Sequence, residues 1–107
     1  MKTGAVTAIG QPKEGFIICG GYESGHLLIW DATSSALLKS LLVHESPVLA
    51  IHFYNDDKMR FLSSDAKGGV LKVYINRSLW SYGAEHERIL MTNTRPIYMI
   101  DSITLMK

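Results

Sequence analysis

The chain has 107 residues, of which 47% are hydrophobic, and this composition is typical of one ordinary globular domain. Its 11 basic and 10 acidic residues nearly balance and are scattered along the sequence, which argues against a nucleic-acid-binding surface. No apolar run approaches the roughly 18 residues of a membrane-spanning helix, and no secretory signal follows the first residue, so a cytosolic location is expected.

The first part of the chain predicts four short strands in succession. They are the β-branched run 5–9, the apolar runs 16–19 and 27–30, and the run 36–42. Glycines at 20, 21 and 25 place a turn before the third strand, because glycine tolerates positive φ. The fourth run has a composition that also suits a helix, and only its place in the pattern predicts a strand.

A second set of strands follows from Pro47 onward. These strands are predicted at 47–53, 60–64, 70–75 and 88–91, with polar turns between the first three. The stretch 76–86 is predicted to be a longer connection. Residues 96–100 then resemble 47–51, so a further unit is expected to begin there.

The two sets of strands are related by a repeat of 44 residues, which separates Gly25 from Gly69 and Trp30 from Tyr74. A period of roughly 40–45 residues that includes Trp-Asp is typical of a propeller blade, whereas a β-sandwich needs no such repeat. We therefore predict an all-β fold, a partial β-propeller with about two blades of four antiparallel strands. Repeat A is placed at about 5–42, repeat B at about 47–91, and the start of a further blade at 96–101.

Trp30-Asp31, together with His44-Glu45-Ser46-Pro47-Val48, resembles the WD-repeat family. The resemblance implies a buried network that joins the His to a Ser or Thr on the second strand, an Asp before the turn glycine, and the Trp. The expected Asp positions fall at Ser24 and Gly68, and Tyr74 replaces the Trp, so the network is expected to be incomplete in both repeats. The residues assigned to the structural repeat are Trp30, Asp31, His44, Asp65, Gly69 and Tyr74.

A narrower resemblance comes from His44, Pro47-Val48-Leu49, Ser63-Ser64-Asp65 and Gly68-Gly69-Val70, followed by Arg77. These residues are similar to the N-terminal propeller of the vacuolar protein sorting-associated protein 8 family. The resemblance implies a segment of a large subunit of the CORVET tethering complex, which links early endosomal membranes through Rab GTPases. The related subunit of the HOPS tether is the alternative within this class.

The sequence predicts neither an enzyme nor a cofactor or metal site. His44 beside Ser46 could suggest a hydrolase, but the Gly-x-Ser-x-Gly elbow is missing. The aspartates at 56, 57 and 65 lack the spacing of a calcium loop, and no His or Cys pair has the spacing of zinc ligands. The single Cys19 is expected to be a buried, inert thiol.

Three residues, Arg77, Trp80 and Tyr82, are predicted to bind a partner, because aromatic residues and Arg on loops are typical interface anchors. The alternative is that Trp80 packs beneath its own loop.

The family resemblance implies a non-catalytic scaffold whose partners are tethering-complex subunits and a Rab GTPase. Its contact with endosomal membranes would be peripheral, through partners on the cytoplasmic side. An unclosed propeller leaves strand edges open, so the isolated chain is expected to self-associate. The alternative is a stand-alone β-barrel or sandwich that binds a small ligand or forms a homodimer.

Overall fold

A computed structural model of the chain describes residues 2–78 and 81–91, which form eight β-strands. The strands are β1 (Val6–Gly10), β2 (Ile17–Tyr22), β3 (His26–Asp31), β4 (Leu37–Leu42), β5 (Val48–Tyr54), β6 (Asp57–Asp65), β7 (Gly69–Arg77) and β8 (Tyr82–Met91). Within these two ranges no helix is long and apolar enough to cross a membrane. The predicted start of a further blade at 96–101 lies outside the described residues.

The strands form two four-stranded antiparallel sheets, each in chain order, β1-β2-β3-β4 and β5-β6-β7-β8. The predicted all-β class is therefore confirmed. The ambiguous run 36–42 is strand β4, because its pairing with β3 supplies the backbone hydrogen bonds that a helix would have made internally.

The two sheets stack face to face over a shared apolar core. Contact between them is close where β1 and β2 pack on β5 and slight where β4 approaches β8, so the sheets diverge towards their outer strands. Burial of this apolar surface is the main term that holds the sheets together. The buried members of the core are Ile17, Cys19, Leu27, Ile29, Val48, Phe53, Phe61, Leu71, Val73 and Ile75.

Two glycines allow the inner strands to approach each other. A Cβ atom at Gly10 would overlap the side chain of Ile51, and a Cβ atom at Gly21 would overlap Val48. The side chains of Ile51 and Val48 on β5 therefore pack directly against the glycine backbone of the first sheet, where any other residue would have a Cβ atom.

The turn before the third strand of each sheet shows the true repeat. The N–H of Gly25 donates to the carbonyl of Tyr22 at 3.0 Å, and the N–H of Gly68 donates to the carbonyl of Asp65 at 3.1 Å. Both glycines have positive φ, 93° and 85°. Gly25 therefore corresponds to Gly68, at a distance of 43 residues, and its predicted equivalence with Gly69 was wrong.

This shift of one residue changes which side chains correspond. Strand pairing places Trp30 opposite Ile18 and Val73 opposite Phe61, so these two residues occupy matching positions. The predicted equivalence of Trp30 with Tyr74 is therefore also wrong, and Tyr74 matches Asp31. Side chains alternate between the two faces of a sheet, so an error of one residue in the repeat exchanges the faces. The predicted repeat put Trp30 and Tyr74 on equivalent faces of their sheets, whereas they lie on opposite faces.

The connection between the last two strands is shorter than predicted. β7 extends to Arg77 and β8 begins at Tyr82, so 78–81 joins them in place of 76–86. The polar sequence of 82–88 looked like a loop, but it pairs along the whole of β7 as an outer strand, where charged side chains are tolerated. Tyr82 is thus a strand residue, and Trp80 lies outside the described residues.

Candidate functional site at the junction of the sheets

A buried histidine occupies the connection between the two sheets. His44 lies between β4 and β5 and is 4% exposed. Its Nδ1 lies 2.7 Å from Oδ2 of Asp65, and its Nε2 lies 2.7 Å from the Oγ of Ser63. Ser63 and Asp65 belong to the end of β6 and are buried as well. Three polar side chains that are far apart in sequence therefore satisfy one another inside the fold.

Protonation of this group follows from its surroundings. Burial lowers the pKa of His44 below its usual value of 6.5, although the hydrogen bond and the charge of Asp65 partly oppose this effect. Nearby Arg88 and His86 lower the pKa of His44 further. We therefore assign a neutral imidazole that donates from Nδ1 to Asp65 and accepts at Nε2 from the hydroxyl of Ser63.

The carboxylate of Asp65 stays ionised by a similar balance. Burial alone would raise its pKa, but hydrogen bonds from the N–H of Gly69, from His44 and from the N–H of Lys67 outweigh burial and lower the pKa below 3.8. The two backbone N–H groups donate to Oδ1 at 2.9 Å each. Asp65 thus closes the turn after β6 with one oxygen and holds His44 with the other.

The backbone of His44 is bound to the first sheet. Its N–H donates to the carbonyl of Gly25 at 3.2 Å. Gly25 has a φ of 93°, and a Cβ atom there would overlap the carbonyl of His44. His44 therefore joins the turn of the first sheet, through its backbone, to the turn of the second, through its ring. We call His44, Ser63, Asp65 and Gly25 the sheet junction.

The order Ser63, His44, Asp65 matches the hydrogen-bond order of a serine-hydrolase triad. A catalytic serine must reach its substrate, whereas Ser63 is fully buried within β6. The arrangement is therefore suited to structural support. Within residues 2–78 and 81–91, no group of three or more His, Cys, Asp or Glu side chains is placed to hold a metal ion.

In the second repeat the network has three of its four members, His44, Ser63 and Asp65, and it lacks the Trp because Val73 holds that position. Its carboxylate is Asp65, three residues before the position expected at Gly68, because Gly68 is itself the turn glycine. In the first repeat, Tyr22 takes the position of Asp65. There Ser24 makes a local contact, with its Oγ 2.6 Å from Nδ1 of His26.

The other residues assigned to the repeat lie in separate places. The carboxylate of Asp31 accepts hydrogen bonds from Thr33 and Ser34 and closes the turn after β3. Gly69 donates its N–H to Asp65. Trp30 lies half-buried on the outer face of the first sheet, beside a cavity of about 240 Å³.

Two Arg residues stack on tyrosine rings. The guanidinium of Arg77 lies 5.6 Å from the ring centre of Tyr82, so the structure brings these two predicted partner-binding residues together. Arg60 lies between Tyr54, at 5.5 Å, and Tyr74, at 5.4 Å. Sequence reasoning missed the Arg60 group, which depends on the pairing of Arg60 with Tyr74 across two strands.

Residues 1–106 match the model of the Vps8 beta-propeller family. The chain belongs to this family. Its two four-stranded sheets are thus consecutive blades of a partial WD-repeat propeller, and both predicted resemblances are confirmed. The Vps8 propeller is a scaffold in a subunit of a trafficking complex.

Solved structures support the same fold. The chain is similar to the computationally designed Ika4 protein, with 26% identity and a TM-score of 0.58 over 69% of this chain and 43% of Ika4. It is also similar to Sqt1 of Saccharomyces cerevisiae, a WD-repeat propeller protein, with 16% identity and a TM-score of 0.67 over 83% of this chain and 24% of Sqt1. The chain thus spans less than half the length of either structure. A comparison with curated protein sequences found no match.

Proposed function

We propose that this Vps8 propeller segment is a non-catalytic protein-interaction scaffold in a subunit of an endosomal tethering complex of the CORVET type. The observation that carries the proposal is the family match over residues 1–106. The sheet junction agrees with it, since the one serine–histidine–aspartate group among the described residues is sealed inside the fold. The residues of the sheet junction therefore hold one blade against the next and have a structural role.

The mechanism is rigid presentation of exposed residues. Each blade is stabilised by its neighbour, and the junction fixes the turns at one end of both blades. The connections between strands and the outer strands then hold a constant geometry towards a partner, which lowers the entropy lost on binding. Arg77 and Tyr82, stacked at the end of β7 and the start of β8, are the proposed contact residues.

The proposed partners follow from the family. They are the other subunits of the tethering complex and a Rab GTPase, reached from the cytoplasmic side of endosomal membranes. Contact with the membrane is peripheral and passes through these partners. No cofactor is required, and no nucleic acid is expected because the charges balance and scatter.

A further blade is the proposed neighbour of the first sheet. Leu28 and Trp30 lie on the outer face of the first sheet. With a repeat of 43 residues they correspond to Leu71 and Val73 on the second sheet. The face that bears Leu71 and Val73 is buried against the first sheet. A four-stranded sheet is therefore the occupant that the outer face of the first sheet fits, and in the isolated chain a second copy is expected to take its place.

The test is affinity capture of the full-length protein from cells, followed by mass spectrometry. A variant with Arg77→Ala and Tyr82→Ala is compared with a control, Lys58→Ala, which alters an exposed residue elsewhere on the same blade. Recovery of tethering subunits and a Rab GTPase, reduced in the double variant alone, supports the proposal. Capture without any tethering subunit would remove the trafficking assignment, and capture of subunits without a Rab would remove only that partner.

A further inference from the structure

The two outer strands, β4 and β8, belong to neighbouring sheets and bear basic residues on the sides that face each other. β4 and β8 touch only slightly, because the sheets diverge towards their outer strands. Lys39 lies opposite Ile29, and His86 and Arg88 lie opposite Val73 and Leu71. Directly paired residues share a face of a sheet, and these three partners on β3 and β7 belong to the core between the sheets. Lys39, His86 and Arg88 therefore point into the space between the blades, and we call this space, with Leu41 and Tyr82, the rim groove.

The charges of β8 are separated between its two faces. Glu87 forms an ion pair with Lys72 at 3.3 Å, and Glu85 accepts a hydrogen bond from Asn76 at 3.2 Å, both on the face away from the groove. On the groove face, within residues 2–78 and 81–91, no carboxylate forms an ion pair with His86 or Arg88. The acidic side chains of β8 thus lie on one face, and its basic side chains lie on the other.

The basic residues of β8 also act electrostatically on the buried His44. Arg88 and His86 both lower the pKa of His44, which agrees with the face of β8 that the pairing register assigns to them. Lys39 approaches the same space from β4, and the described part of the chain gives it no ion pair either. The rim groove is therefore basic, although the chain as a whole has a net charge of only +1.

The backbone of β8 adds a second recognition element. β8 is the last of the four strands in its sheet order, and among the described residues no strand pairs with its other edge. Such an edge has free N–H and C=O groups that can pair with an incoming extended segment. His86 and Arg88 are two residues apart, which matches the period of side chains along one face of a strand.

We propose that the rim groove binds an extended acidic peptide segment of a partner protein, which pairs with the edge of β8 and directs alternate Asp or Glu side chains towards Arg88, His86 and Lys39. The residues between the acidic ones would face Glu85 and Glu87 and are therefore uncharged. This inference rests on the proposed scaffold role and adds the chemistry of the partner. It requires neither a Rab GTPase nor an endosomal location.

The test is a titration of the chain with a fluorescently labelled peptide of alternating Glu and Thr, as long as β8, followed by fluorescence anisotropy. The same peptide with Lys in place of Glu tests the sign of the charge, and one with Pro in place of alternate Thr tests backbone pairing, since Pro donates no hydrogen bond. We expect the Glu peptide to bind, more weakly as salt rises, and the two control peptides to bind at least about tenfold more weakly.

Variants assign the binding to the groove. Arg88→Glu and Lys39→Glu together should weaken binding by about tenfold or more, because two attractions become repulsions. Lys58→Glu makes the same kind of charge change on an exposed residue outside the groove and should leave binding within about twofold. Arg88→Lys keeps the charge and should retain most of the affinity. Circular dichroism of each variant verifies that the sheets form.

Three results would overturn the inference. Failure of the Glu peptide to bind would mean that the charges of β8 serve to prevent strand pairing. Equal binding by the groove variant and by Lys58→Glu would place the peptide elsewhere. Binding of anionic phosphatidylserine vesicles, with the same dependence on Arg88 and Lys39 but without peptide binding, would make the ligand a membrane surface. None of these outcomes affects capture of tethering subunits by the full-length protein.

Discussion

The imidazole of His44 lies 2.7 Å from the carboxylate of Asp65, although 21 residues separate them in the chain. Each is held at its other side as well, His44 by Ser63 and by the backbone of Gly25, and Asp65 by two backbone N–H groups. Because each partner satisfies several buried groups, the pair links two turns on different sheets into one unit. Loss of either side chain leaves polar atoms buried without partners.

Replacement of Asp65 by Ala should destabilise the chain by about 3 kcal/mol, because it leaves the imidazole and two backbone N–H groups unsatisfied. Urea denaturation followed by circular dichroism measures the change in the free energy of unfolding. The matched control is Asp56→Ala, at an exposed turn position, which should change stability by less than about 0.5 kcal/mol. Similar values for both variants would show that the junction contributes little to stability.

Stability should fall as the pH falls from 6.5. Folding lowers the pKa of His44 below its usual 6.5, so below this pH the unfolded chain binds more protons at His44 than the folded chain does. Acidification therefore favours unfolding. The groups that face His44 are Asp65, Ser63, His86 and Arg88. The pKa of Asp65 is lowered too, so a second loss of stability is expected as the pH falls below 3.8.

The measurement is the urea midpoint of unfolding at a series of pH values from 7.5 to 5. This range extends below 6.5, where the lowered pKa of His44 should reduce stability. The variant His44→Asn should be less stable at neutral pH and should lose most of this dependence. His52→Asn serves as a control that changes a histidine within β5, outside the sheet junction. An unchanged pH dependence in the His44 variant would assign the titration to other groups.

Gly25 should not tolerate a side chain. Its φ of 93° disfavours any other residue, and a Cβ atom there would overlap the carbonyl of His44, so Gly25→Ala should cost more than about 2 kcal/mol. Gly83 is the control, because no atom lies within 4 Å of a Cβ atom placed there. Gly83→Ala in β8 should be neutral or stabilise by up to about 1 kcal/mol. Thermal unfolding compares the two, and equal effects would argue against close docking of the first-sheet turn on His44.

Self-association of the isolated chain should depend on the outer face of the first sheet. Val6 and Ile9 are 52% and 64% exposed there, beside the half-buried Trp30. Ile9→Glu should shift the chain towards the monomer in light scattering coupled to size exclusion. The control is Ile89→Glu on β8, an exposed apolar residue away from this face, which should not. A wild-type chain that is monomeric at all concentrations would contradict the expectation.

The strands and their order could be predicted because each apolar run is bounded by Gly, Pro or Asp turns, and because the pattern repeats. The exact offset could not, since the adjacent Gly68 and Gly69 allow two alignments and only the positive φ of Gly68 selects 43 residues. The extent of β8 escaped prediction because an outer strand needs no apolar alternation.

The junction was harder to predict than the strands. His44 and Asp65 were both assigned to the repeat through the family resemblance, but the Asp of the buried network was expected at Gly68, and only the fold shows that Asp65 binds the ring. The basic rim groove has no signal in the sequence, because Lys39 and Arg88 lie on strands of different sheets. Pairing register determines that they share one space.

The central claim is that the two sheets are consecutive propeller blades with equivalent faces, related by 43 residues. A structure of the full-length protein by electron cryo-microscopy tests it most directly. The claim predicts that a further four-stranded sheet covers Leu28 and Trp30 as the first sheet covers Leu71 and Val73. A face left open to solvent, or covered by helices, would contradict it.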